Sequence, residues 1–179
     1  MRTKISLALM LLIIGISSIC YASSADRWEW ITSTETVDFY FDKETIQYGM
    51  VEEWDSSSHR FKNVIDRSKI IVYLKALYTD SYREQAAESA RNKGLHDYVD
   101  EIMNTEYRID KYEIDYKDKQ MRSVDAAMYD VNGKVLFSYN IKHADWSSII
   151  PSSNGEVIAK IVREYAEKNY ENVAKQTLQ

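Results

Sequence analysis

Cysteine is nearly absent from this chain: Cys20 is the only one in 179 residues. One thiol cannot close an internal disulfide, so a disulfide scaffold is excluded and a packed core must hold the fold. The three histidines, His59, His96 and His143, lie in separate segments, and none forms H-x-x-x-H or H-E-x-x-H. Zinc therefore has no evident closed site, and no metal or other cofactor is expected. A glycine-rich phosphate loop is missing too. Basic residues are outnumbered, 23 Lys+Arg against 28 Asp+Glu, for a net charge of −5. That balance argues against nucleic acid and against anionic membrane surfaces as partners. Proline occurs once, at Pro151, glycine five times, and there is no low-complexity stretch or internal repeat.

What is present begins with an address. Arg2 and Lys4 precede an apolar run over residues 5–16, interrupted by Ser6 and Gly15, and Cys20-Tyr21-Ala22 follows. The pattern predicts a signal peptide over residues 1–22, because the run is shorter than the ~20 residues that span a bilayer. Lipidation of Cys20 is the alternative reading; the large Ile19 before it argues against that. Cleavage after Ala22 leaves residues 23–179 as a single domain without cysteine. With 21 basic and 28 acidic residues its net charge is −7. The expected destination is the periplasm, the cell surface or the medium, with no further apolar run long enough to span a membrane.

Aromatics are abundant: 14 tyrosines and four tryptophans. At that density they suit a sheet with an amphipathic outer face, mostly as cross-strand pairs. Such a face can also bind partners or glycans, and leaves a protein partner and a homo-oligomer both open.

Residues 27–32 (RWEWIT) and 36–42 (TVDFYFD) read as a hairpin, with Val37, Phe39 and Phe41 alternating against polar neighbours. A weaker strand over 46–54 breaks near Gly49, and 55–63 (DSSSHRFKN) reads as a polar loop. Residues 69–78 (KIIVYLKALY) form the strongest strand. Helix formers then dominate 81–92, stopped by Lys93-Gly94, and a second short helix covers 95–104. In 107–116 the apolar phase slips between Ile109 and Tyr112, which predicts a bulge. Asn132-Gly133 joins strands at 122–130 and 134–141. Residues 156–174 carry one apolar stripe, Val157, Ile158, Ile161, Val162, Tyr165, Ala166, Tyr170 and Val173, and read as a single amphipathic helix. The fold class is α+β: an antiparallel sheet with a C-terminal amphipathic helix on one face and a short helical excursion between strands.

The segment HADWSSIIPSSNGE, 143–156, concentrates most residues able to do chemistry. His143, Asp145 and nearby serines invite a hydrolase or metal reading. No serine there has the G-x-S-x-G context of a nucleophile elbow, and an extended segment points His143 and Asp145 away from Ser148. The structural reading uses more of the residues. Ser153 and Glu156 fit a capping box, and Pro151 keeps Ile150 extended. Trp146, Ile149 and Ile150 are the expected apolar lock under the last helix, so Trp146→Ala is expected to lower the melting temperature clearly.

Four motifs in order carry a family resemblance: W-x-W-I with T-V-D-F-Y-F-D-K-E-T-I, then Y-E-I-D-Y-K-D-K-Q-M-R, Y-D-V-N-G-K-V-L-F-S-Y and D-W-S-S-I-I-P-S-S-N-G-E-V-I. Across roughly residues 28–162 the chain resembles the surface-adhesin protein E family. The resemblance implies an antiparallel sheet carrying a C-terminal helix and export to the bacterial surface. It also implies adhesion to host matrix or serum proteins. Many relatives carry one cysteine near the position of Tyr116 and another near Arg163, tying helix to sheet; this chain has neither. The excursion over 81–104 matches poorly, so no ligand-binding residue is transferred. Two function classes follow. One is an exported, non-catalytic binding module; the other is a small envelope enzyme or metal-dependent factor using His143, Asp145 and nearby serines. The first is favoured because no motif supplies convergent catalytic geometry.

Overall fold

The structure, a computed structural model, describes residues 27–179; the expected signal peptide and Cys20 lie outside them. The β-branched run at 69–78 forms the inner part of β4 (Arg60–Tyr78), the strand on which the sheet is organised. On one side of it Ile70, Val72 and Leu74 are buried, and on the other Ile71, Tyr73 and Lys75 are half-buried. That alternation is the period-2 geometry of a pleated strand.

Seven further strands join it: β1 (Trp28–Ser33), β2 (Val37–Asp42), β3 (Gln47–Asp55), β5 (Tyr107–Asp115), β6 (Gln120–Tyr129), β7 (Val135–Asn140) and the short β8 (Ser147–Ser148). The order is β1-β2-β4-β5-β6-β7, with β3 also paired to β4 and β8 to β6. All neighbours are antiparallel. Between β4 and β5 the chain makes its helical excursion, α1 (Asp80–Asn92), a 3-10 turn (His96–Tyr98) and α2 (Val99–Asn104). Two helices close the chain, α3 (Asn154–Lys168) and α4 (Tyr170–Thr177).

The core lies between the sheet and these last helices. Ile31, Phe41, Ile46, Tyr48, Ile70, Val72, Leu74 and Ile114 meet Ile158, Ala159, Val162, Ala166 and Val173. At about 1.5–3 kcal/mol per fully buried large side chain, this contact is a main source of stability. Two sheet tyrosines add polar ties. The Tyr48 hydroxyl donates to the Ala166 carbonyl at 2.8 Å, and the Tyr116 hydroxyl to Ala159 at 2.9 Å. The Arg163 guanidinium lies 5.1 Å from the Tyr116 ring centroid. The sequence resemblance would put two cysteines near these positions, and here a cation–π contact joins Tyr116 and Arg163.

Four expectations change. The stretch 55–63 is not a loop: after a turn at 56–59, Arg60–Asn63 pair with Glu52–Asp55, and the β3–β4 hairpin projects as a two-stranded arm. Its polar side chains face solvent, so no apolar period marked it as strand. The expected single C-terminal helix is two, broken at Asn169, whose side-chain amide donates to the Tyr165 carbonyl at 2.9 Å. Within its stripe Val157 and Tyr170 are exposed. The Asn-Gly hairpin has only Gly133 at positive φ (76°), so the paired positive-φ turn does not form. Instead the Asp130 carboxylate accepts from the amides of Asn132 and Lys134, a longer Asx-type loop. The bulge expected in 107–116 does not form: β5 pairs with β4 without a break, and Ile109 and Tyr112 fall on opposite faces by plain alternation. The shift between Lys111 and Tyr112 comes from an extra residue on β6, Val124. The shift between Tyr48 and Gly49 marks where the arm leaves the sheet, and a Cβ on Gly49 would stand 2.8 Å from the Lys69 Cβ.

Candidate binding surface

The joint that the sequence singled out connects β7 to α3 along the edge of β6. Ile149 packs against the core, and its amide donates to the Lys119 carbonyl at 2.8 Å. Ile150 is 66% exposed and Pro151 is also exposed. Ser153 caps α3: its Oγ accepts from the Glu156 amide at 3.3 Å. The Glu156 carboxylate reaches back to the Ser152 amide at 2.7 Å, one residue before the cap.

Trp146 does not lie beneath the helix. It is 36% exposed, with the Arg122 guanidinium 4.4 Å from its ring centroid. Glu113 holds that guanidinium through Nε at 2.8 Å and Nη2 at 2.6 Å. The reason is register: β8 pairs Ser147 with Met121, so the residue before it falls beside Arg122 and on the side of the sheet away from α3. A contact of this exposed kind is worth about 0.5–1 kcal/mol. Trp146→Ala should therefore lower the melting temperature by no more than about 3 °C, at ~2–4 °C per kcal/mol for a domain of this size. Thermal unfolding followed by circular dichroism checks this, and a drop above about 8 °C would restore the tryptophan as the lock.

A cavity of about 450 Å³ opens at the joint, lined by Tyr112, Met121, Ser123, Ile141, Asp145 and Ser148 among others. His143 is exposed and does not line it. No hydrogen bond joins His143 to Asp145 or to a serine among the described residues. His59 sits in the arm's turn and His96 in the 3-10 turn, so the structure does not bring the histidines together. Among the described residues no three His, Cys, Asp or Glu side chains gather as a metal cluster.

The opposite face of the sheet is built differently. Phe41, Val72, Leu74 and Ile114 point to the helices, so their strand neighbours point away. Register then arranges the outward side chains in rows. One row runs Trp28, Asp42, Tyr73, Lys111 and Asp125; the next runs Trp30, Tyr40, Lys75, Ile109, Ala127 and Ser138. Beyond them Leu77, Tyr107 and Tyr129 follow. Tyr107 and Tyr129 are stacked, with centroids 4.8 Å apart. Six aromatic rings thus share one face, and Trp30 is 57% exposed.

This face is also curved. Trp28 on β1 and Tyr129 on β6 are four strands apart, about 19 Å on a flat sheet. Both nevertheless line one cavity of about 370 Å³ with Arg27, Asp42, Tyr73 and Ile109. A second cavity, about 350 Å³, shares Tyr73, Ile109 and Tyr129 and adds Asp125, Ala127 and Ser138. Small side chains on β6 and β7 make the depression, and aromatic ones on β1 and β5 make its rim. Arg27 secures the β1 end: its Nε and Nη2 donate to the fully buried Asp42 carboxylate at 2.7 and 2.5 Å. Lys75 does not line either cavity; it projects from the same face beside them, its Nζ 4.3 Å from the Tyr107 centroid and 5.8 Å from that of Trp28. Burial pushes its ammonium below the usual lysine range.

In the sequence these aromatics stand out by number and not by place. The usable signal was that Trp28, Trp30 and Tyr40 occupy the phase of their strands where charged residues normally stand. No family model matches the chain, and no curated protein matches it. Among solved structures it is similar to the crystal structure of protein E from non-typeable Haemophilus influenzae, at 10% identity over 83% of this chain and 87% of that one, with a TM-score of 0.40. That is a weak likeness, at the level of fold alone.

Proposed function

We propose that this chain is an exported, non-catalytic binding module of the bacterial envelope or surface, and that it binds through the open aromatic face of its sheet. The observation that carries the reading is that face: six rings, two adjoining cavities and a half-buried lysine on the side of the sheet away from α3 and α4. Exposed aromatic patches of this kind mark interaction sites. The signal-peptide pattern supports export, and adhesion to host matrix or serum proteins is the role that the sequence resemblance suggests. The exposed, unlinked His143 gives the enzymatic alternative no support.

Envelope fractionation together with solid-phase binding to matrix proteins and glycans tests the proposal. A Trp30→Ala/Tyr40→Ala double variant should lose at least tenfold in binding with its melting temperature nearly unchanged, because both rings reach solvent. His143→Ala and Ser148→Ala should behave like the parent chain. Wild-type binding by the double variant would show that the ligand sits elsewhere.

A further inference from the structure

The open face carries a more specific ligand preference, which rests on the binding-module reading. We infer that the trough over β1, β2, β4, β5 and β6 takes an acidic saccharide, its carboxylate on Lys75 and its sugar faces on the surrounding rings.

Three observations converge on this. The first is charge. Lys75 forms no ion pair among the described residues, although it is half-buried. The acid whose field it feels, Glu106, is already bonded to Arg83 at 2.7 Å. Its ammonium is held only by the π-faces of Tyr107 and Trp28, which stabilise a cation without neutralising it. An incoming carboxylate would supply the missing counter-charge in a partly desolvated setting, where a charge-assisted hydrogen bond is strongest.

The second is where the site lies. Its floor lies over β2, β4 and β5, whose backbone donors and acceptors are committed to ladders on both sides. A peptide docking on a sheet gains its affinity from main-chain hydrogen bonds at an open edge; the floor offers none, and the edge strand β1 stands at its rim. Recognition over the floor proceeds through side chains, by stacking, ion pairing and hydrogen bonds to hydroxyls.

The third is the polar lining. Asp125 and Ser138 stand at the far end of the second cavity and accept or donate hydrogen bonds to hydroxyl groups. Aromatic rim, the Lys75 ammonium beside it and the hydroxyl-binding end together match a pyranose chain bearing carboxylates. The two cavities, about 370 and 350 Å³, adjoin through Tyr73, Ile109 and Tyr129 and give room for more than one sugar ring.

The test titrates the processed full-length chain with three probes, reading Kd by calorimetry and by tryptophan fluorescence. The probes are a galacturonic acid tetrasaccharide, its carboxyl-reduced neutral counterpart, and a tetraglutamate peptide of equal charge. The acidic sugar should bind at least tenfold more tightly than either of the others. Lys75→Met should remove that preference, and Lys75→Arg should keep most of it. Both variants retain the aliphatic stem that packs among the rings, and thermal unfolding verifies their fold. Asp125→Asn should weaken both sugars together, which reports the hydroxyl-binding end independently of Lys75.

Equal affinity for the acidic and neutral sugars would overturn the role of Lys75. Preferential binding of the peptide would overturn the ligand class. If no sugar binds while the Trp30/Tyr40 variant still loses capture on matrix proteins, the saccharide assignment fails and the binding-module reading stands. If neither effect is seen, both fail.

Discussion

Phe41→Ala should destabilise the protein by about 3–5 kcal/mol, the usual cost of emptying an aromatic site in a core. The Phe41 ring is fully buried, and it meets the Tyr165 ring of α3 edge-on at 5.0 Å between centroids. It also stands among Ile31, Ile70, Leu74 and Val162, so the hole would open at the seam between sheet and helix. Neither side can easily collapse into it. The sheet is fixed by its ladders, and α3 is held by the hydroxyls of Tyr48 and Tyr116 and by its Ser153 cap. At ~2–4 °C per kcal/mol the melting temperature should fall by about 10 °C. Thermal unfolding by circular dichroism measures it, with Phe41→Leu as the volume-sparing control. A fall of less than about 3 °C would mean that the seam is not where the stability lies.

Phe41 also shows what local sequence can tell. Its place in V-D-F-Y-F-D makes it a core candidate by alternation alone, and the same logic found the inner part of β4 and most of α3. These features depend on period and on turn chemistry, both of which are local. The errors share the opposite property. Trp146 is large and apolar, and nothing near it in sequence reveals that β8 pairs with β6 so as to place it over Arg122. The arm was missed because Arg60–Asn63 pair only with β3 and keep most of their side chains in solvent. The break at Asn169 hides in a stripe whose period almost continues across it.

The same asymmetry explains why the binding face was readable as a composition but not as a place. Trp28, Trp30 and Tyr40 are evident on β1 and β2, and Tyr107 and Tyr129 on β5 and β6. Only the register of four ladders puts them on one surface around Lys75. The joint at Ser153 and Glu156, by contrast, is a local hydrogen-bond pattern and was placed nearly residue by residue; the difference is that Glu156 reaches Ser152. Exposed aromatics on the arm, Trp54 at 54% and Phe61 at 65%, form a second apolar pair distant from the core. A lone two-stranded ribbon contributes little stability, so changes there should be quiet in a melt.

Alkaline pH should unfold this protein far more readily than acid or neutral pH would suggest, and its tyrosines are the reason. Burial raises the hydroxyl pKa values of Tyr78 and Tyr116 well beyond the ordinary range, and those of Tyr48, Tyr107 and Tyr112 as well. In the unfolded chain a tyrosine loses its proton near pH 10. Above that point the unfolded state binds fewer protons than the folded one, so stability falls as pH rises; below it these groups leave stability unchanged with pH. Each strongly held tyrosine contributes a slope of about 1.4 kcal/mol per pH unit, so Tyr78 and Tyr116 together contribute about 3. Lys75, whose ammonium is pushed down, opposes this through a single group. Against a typical total of ~5–15 kcal/mol, stability should be largely lost by about pH 12. Denaturant midpoints followed by circular dichroism from pH 8 to 11.5 give the slope. Tyr116→Phe should cost about 1 kcal/mol at pH 8, because the bond to the Ala159 carbonyl is lost. It should also make the alkaline limb shallower, and adding Tyr78→Phe should flatten it further. An alkaline limb equally steep in the double variant would assign the transition to other groups and remove these tyrosines from the account.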